Sequence, residues 1–98
     1  MFYGLASGEI DTAELAFEHE LQGIQELNER AMLGELEVTA VSIHAYAYLT
    51  DSYILLPHGA SMGEGYGPRL VSRVPMDRDA IRSCTIAVPG ELTSAYLA

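Results

Sequence analysis

Ninety-eight residues make one small domain or part of a larger one. The formal net charge is −9, lysine is absent, and the basic residues are Arg30, Arg69, Arg73, Arg78 and Arg82, so no basic stripe can neutralise phosphates and nucleic acid is not an expected partner. No run reaches the ~18 apolar residues of a membrane span, no export signal opens the chain, and the lone Cys84 excludes an internal disulfide, which fits a reducing compartment.

The chain opens inside an apolar helical pattern. Phe2, Leu5 and Ala6 share one helical face, and Gly8 can end that helix. Ile10-Asp11-Thr12 is a turn. Leu15, Phe17 and Leu21 then alternate with Glu18 and Glu20, the period of a half-buried strand, with His19 on the apolar side. Residues 23–33 read as an amphipathic helix. Its predicted buried stripe is Ile24, Leu27 and Ala31, its outer face carries an i,i+4 pair, Glu26 with Arg30, and Gly34 is a natural C′ residue.

Residues 38–41 are short, apolar and partly β-branched, which predicts a buried strand. Ser42 follows as a candidate N-cap for a helix over 43–49. Asp51-Ser52 is a turn, and 53–56 is a strand stopped by Pro57. A glycine-rich loop covers 59–67. Residues 69–74 predict a further strand, 77–83 a short helix, and 84–88 a buried strand opened by Cys84. Pro89-Gly90 turns into a last helix at Thr93-Ser94. Alternating strands and helices argue for an α/β fold with parallel strands. The uncapped start and the barely begun last helix lead us to expect a fragment.

The chemistry concentrates at two strand-to-helix junctions, Ser42 and Thr93–Ser94. Free backbone N–H groups and hydroxyls gather past the strand ends there, a place where α/β sheets bind anions. Each hydroxyl also has the simpler role of an N-cap. Asn28 lies mid-helix, where asparagine is mildly unfavourable, so its amide is expected to contact something. The 59–67 loop lacks Gly-Lys-Ser/Thr and misses G-x-G-x-x-G spacing, so it reads as a connection and not a phosphate cradle. His19, His44 and His58 have no helical i,i+3 or i,i+4 partner, and no metal site is expected. His44 reads as a packed residue with one hydrogen bond, and Cys84 as buried and inert. Ser42 lacks a G-x-S-x-G elbow and is not read as a nucleophile.

The runs Glu26-Leu27-Asn28-Glu29-Arg30-Ala31, Val38-Thr39-Ala40-Val41-Ser42-Ile43-His44-Ala45-Tyr46-Ala47-Tyr48, Gly63-Glu64-Gly65-Tyr66-Gly67-Pro68 and Ala87-Val88-Pro89-Gly90, with Thr93-Ser94-Ala95-Tyr96, carry a family resemblance. Together and in this order the chain resembles the 1,4-dihydroxy-6-naphthoate synthases of the futalosine route to menaquinone. The resemblance implies a two-lobed fold like the type II periplasmic binding proteins, acting as a cytoplasmic, lyase-type enzyme on cyclic dehypoxanthinylfutalosine, a carboxylate. It implies no cofactor and no metal. It implies substrate contacts at Ala40, Val41, Ser42, Thr93 and Ser94, the junctions already singled out, and we add Asn28 from its position alone.

Members of that family begin with a further strand and continue well past the equivalent of Ala98. The resemblance therefore implies an incomplete unit over 1–98, with about 1–74 as a first lobe lacking its first strand and about 75–98 as the start of the second. It also puts the general-base histidine outside this chain, since none of His19, His44 and His58 matches it. Such a piece is expected to be inactive alone and marginally stable, with homodimerisation as one way to cover it. A solute-binding protein or a chorismate dehydratase of the same fold are the alternatives.

Overall fold

The computed structural model describes residues 3–98. Its elements are α1 (Tyr3–Ala6), α2 (Ile24–Met32), α3 (Ile43–Tyr46), α4 (Arg78–Ser83) and a closing 3-10 helix, Ser94–Tyr96. The expectation for Phe2 lies outside the described residues.

Helix α2 is the longest element and the best specified by its sequence. Gly23 is its N-cap and Leu33 its C-cap. Gly34 takes φ +69°, and its N–H bonds Ala31 O at 3.0 Å while Glu35 N–H bonds Arg30 O at 3.1 Å. This double closure is a Schellman motif, which needs a left-handed residue that glycine adopts without strain. The buried face differs from the predicted stripe. Asn28 and Ala31 are buried, Leu27 is half-buried and Ile24 is 37% exposed. The face turns because the helix docks by a polar contact at Asn28 and not by its larger apolar side chains.

Arg30 does not pair with Glu26 as predicted. It reaches Glu20 at 2.5 Å, Glu35 at 3.1 Å and the Gln22 side-chain oxygen at 2.7 Å. It thus fastens both flanks of α2 to the helix. The hydrogen bond to Glu20, then that to Glu35, holds the guanidinium above its ordinary value. A surface pair that spans segments fixes chain direction more than it adds stability.

Helix α3 is shorter than predicted. After Tyr46 the chain continues in three-residue turns, with Tyr48 N–H on Ala45 O at 3.0 Å and Leu49 N–H on Tyr46 O at 2.9 Å. These turns bring Leu49 inward to join Ala31 and Ala45 in a core against which Val41, Tyr46, Tyr53 and Leu92 pack. Tyr53 Oη donates to Leu36 O at 2.6 Å, closing the segment before α3 onto the one after it. Helix α4 starts one residue later than predicted, because Asp77 is its N-cap, with Oδ1 accepting from Ala80 N–H at 2.8 Å.

The predicted strands are where structure and sequence part. No β-ladder forms among the described residues. Residues 15–21, 38–41, 53–56, 69–74 and 84–88 all run as irregular chain without a paired neighbour. Val38 and Ile86 are exposed, and so is Cys84, against the buried settings expected of them, and Ile54 and Val71 are exposed as well. The physical reason is that a strand satisfies its backbone only by pairing with another edge. A helix closes its own hydrogen bonds, which is why the helices form where predicted.

The radius of gyration is 17.3 Å, against about 13 Å for a compact domain of this length. The accessible surface is 8598 Å², against roughly 5,500 Å² for a compact monomer of this mass. Order is concentrated around α2, α3 and the closing 3-10 helix, which packs against α3.

Candidate functional site

Ser42 stands at the N-cap of α3 with extended backbone, φ −70° and ψ 146°. Its carbonyl accepts from Tyr46 N–H at 2.9 Å, the first bond of the helix. Its hydroxyl does not cap, in contrast to the simple role assigned from sequence. It accepts instead from Asn28 Nδ2 at 3.2 Å, while Ser42 N–H donates to Asn28 Oδ1 at 2.9 Å.

The Asn28 Nδ2 also donates to Leu92 O at 3.2 Å. A primary amide has two N–H donors and one carbonyl acceptor, so this side chain serves two distant segments at once. It is fully buried. A buried amide left unpaired costs about 1–3 kcal/mol, and here both of its ends are paired. The unfavourable mid-helix asparagine noted in the sequence is thus the hub of a polar junction.

The segment it holds is shaped by Pro89-Gly90. Gly90 takes φ +150°, and a Cβ there would collide with the side chain of Gln25. That close approach lets Gln25 Oε1 accept from Leu92 N–H at 3.0 Å. Gln25 and Asn28, three residues apart on α2, together grip Leu92 by its N–H and its carbonyl. Sequence reasoning passed over Gln25. Its i,i+3 spacing to Asn28 on an otherwise apolar-facing side is the signal that marks it.

Thr93 is buried, with extended backbone, and its hydroxyl does not cap the 3-10 helix either. It donates to Gly90 O at 2.7 Å. Ser94 is exposed, and its Oγ accepts from His44 N–H at 3.3 Å across 50 residues of sequence. The His44 Nδ1 lies 3.3 Å from Thr93 O. A carbonyl only accepts, so this contact needs the proton on Nδ1. His44 therefore has the packed, singly bonded ring expected of it, with Tyr48 tilted against it at 5.7 Å between ring centroids.

Ser42, Thr93 and Ser94 are thus brought to one place, with Asn28 beneath them. Val41 is half-buried against the core, and Ala40 is half-buried at the edge of a groove of about 990 Å³ whose walls include Phe17, Ile24, Leu27 and Val38. The polar junction itself does not line that groove. The helices flanking the junction have four and three residues, so little aligned dipole stands behind either end. Hydroxyls and single N–H groups, more than helix dipoles, are what this place offers a ligand. Among the described residues no three His, Cys, Asp or Glu side chains converge as metal ligands would, and no helix is long and apolar enough to cross a membrane.

Comparison with known proteins defines the class first. The chain belongs to the menaquinone biosynthesis family, whose model matches residues 1–98. Two relatives then narrow the likeness, both named 1,4-dihydroxy-6-naphthoate synthase. The one from Thermus thermophilus is 36% identical over 96 residues, which is 98% of this chain and 34% of the relative. The one from Streptomyces coelicolor is 38% identical over 97 residues, 99% of this chain and 33% of the relative. The chain spans about a third of the length of the curated relatives it matches. No solved structure matches it.

Proposed function

We propose that this chain is part of an enzyme that forms 1,4-dihydroxy-6-naphthoate from cyclic dehypoxanthinylfutalosine on the way to menaquinone. The reaction is of the lyase type, in the cytoplasm. The fold proposed for the whole enzyme is α/β and two-lobed, like the type II periplasmic binding proteins. In it, residues 1–74 belong to the first lobe and 75–98 begin the second.

The observation that carries the site assignment is the meeting of Ser42 with Thr93–Ser94 through Asn28 and His44. Two distant segments whose hydroxyls meet at the junction suit a small carboxylate substrate that is oriented by hydrogen bonds. Ala40, Val41 and Ser42 form one wall and Thr93 and Ser94 the other. The chain's own residues bind and orient. The proton acceptor is a histidine supplied from outside residues 1–98, so chemistry needs more than this chain.

The test joins residues 1–98 to the parts of the Thermus thermophilus relative that flank its matched third. The joined protein is expected to release 1,4-dihydroxy-6-naphthoate, detected chromatographically, while the 98-residue chain alone releases none. A joined protein that melts cooperatively yet makes no product overturns the reading.

A further inference from the structure

The groove beside α2 is bordered by two stretches of chain, 16–22 and 35–40, which line it without a gap. An extended run sends alternate side chains to opposite sides, so a groove that met one face of it would be lined by every second residue. Residues 16–22 contain no turn or bend and are met one after another, so their backbone edge borders the space. Among the described residues no N–H or C=O of 16–22, and no N–H of 36–40, joins a backbone–backbone hydrogen bond. Free edges of this kind are templates for a further strand.

The two walls share a pattern. Phe17, His19 and Leu21 alternate with Glu18 and Glu20. Phe17 and His19 are stacked with 6.3 Å between ring centroids, as neighbours on one face are. On the second wall Leu36, Val38 and Ala40 alternate with Glu37 and Thr39. Paired as strands, each wall has one mostly apolar and one acidic face. Arg30 is taken up by Glu20 and Glu35, which leaves Glu18 and Glu37, one on each wall, in no ion pair among the described residues.

One exposed segment matches both faces. In residues 69–74 Leu70 and Val74 alternate with Arg69 and Arg73, and Leu70, Val71 and Val74 are exposed. Neither arginine is in an ion pair among the described residues. The other irregular apolar segments, 53–56 and 84–88, carry no charge, and Arg78 and Arg82 lie on α4. Within its own chain 69–74 does not border the groove, but faces 84–87 across a separate cavity.

We infer that the groove receives residues 69–74 of a second copy of this chain as an added strand. Backbone bonds to the free edges supply the affinity, and the side chains set the register. Leu70 and Val74 join the apolar face with Phe17 and Val38, while Arg69 and Arg73 lie between Glu18 and Glu37. The inference is independent of the reading of Ser42 and Thr93–Ser94 as a substrate site.

Sedimentation measures the association of this chain, and residue-resolved amide exchange above and below its midpoint locates the contact. On association the amides of 16–22, 36–40 and 69–74 should together gain about tenfold or more in protection, while those of 53–56 and 84–88 stay open. Arg69→Glu with Arg73→Glu should weaken association about tenfold. Glu18→Arg with Glu37→Arg should do the same, although it lowers the net negative charge that opposes association. A mixture of these two variants should associate as the unaltered chain does, since each segment then meets a groove of opposite charge. Val71→Pro removes a ladder donor without changing charge; it should weaken association as much and leave the amides of Ile24–Met32 as protected as before in the monomer. A chain that stays monomeric at every concentration overturns the inference, and so does a mixture that fails to recover. Protection spread equally over 53–56 and 84–88 would mean general apolar association, and groove protection unchanged by dilution would mean that the chain covers its own groove; either result overturns it too.

Discussion

Single side chains at this junction do work that their residue types only partly announce. Ser42 and Thr93 sit at N-cap positions, yet neither hydroxyl caps. Replacing a working cap by alanine costs roughly 1 kcal/mol, and Asp77, whose carboxylate accepts from Ala80 N–H, is such a cap. Asp77→Ala is therefore expected to fray Arg78–Ser83, while Ser42→Ala leaves the amide protection of Ile43–Tyr46 almost unchanged. Residue-resolved exchange compares the two directly. Loss of protection at α3 in Ser42→Ala would restore the plain capping role. Asn28 was visible in the sequence as an oddity, and Ser42 as a junction residue. Their direct bond was not, because a pairing between residues 14 apart leaves no local pattern. Arg30 shows the same limit, since helical spacing points to Glu26 and the folded chain supplies Glu20 and Glu35. Its raised pKa means that the arginine's own share of the pairing stability is present below the ordinary arginine value and is lost as pH rises through the folded value. No acid-side transition is expected from the arginine itself.

Among elements, helices were legible and strands were not. Helix α2 carries its own stop signal in Gly34 and runs within one residue at each end of its predicted span. The turn at Pro89-Gly90 is decided by contact as much as by backbone. Gly34 has nothing near its missing Cβ, whereas Gly90 has the Gln25 side chain against it. Gly34→Ala is expected to destabilise the chain by about 1 kcal/mol from backbone strain. Gly90→Ala should cost more, and it should also release Leu92 N–H from Gln25. Chemical denaturation compares the totals, and exchange at Leu92 separates the causes. Equal losses with Leu92 still protected would show that the Gln25 contact carries no weight. For the strands, alternation and β-branching specify only that a segment suits a sheet. Whether a sheet exists depends on edges that the segment does not contain.

As a whole molecule the chain exposes far more apolar surface than a self-sufficient domain does. Its core is Ala31, Ala45 and Leu49, two of them alanines. At about 25 cal/mol per Å² of apolar burial, so small a core stands against a large ordering entropy. Side chains such as Leu21, Ile54, Met62 and Val71 lie open, and unpaired strand-like segments next to them are routes to association. The chain is expected to melt broadly, with an apparent midpoint that rises with protein concentration as copies cover one another. A net charge of −9 opposes that association, so added salt should promote it by screening. Sedimentation across protein and salt concentrations reads both effects. A sharp, concentration-independent monomer transition would remove this picture.

By itself the sequence determined which segments are helical, where α2 stops, and which residues hold the hydroxyls and the amide at the candidate site. Those properties follow from side chains within about four positions of each other, the range over which a helix and its caps are built. Only the tertiary structure decided which way α2 faces, that Gln25 joins Asn28 in holding Leu92, and that the hydroxyls of Ser42 and Ser94 accept from Asn28 and His44. Each of those depends on a partner 14 to 67 residues away. A hydrogen bond has a direction, and direction is settled only when both of its groups have been brought together.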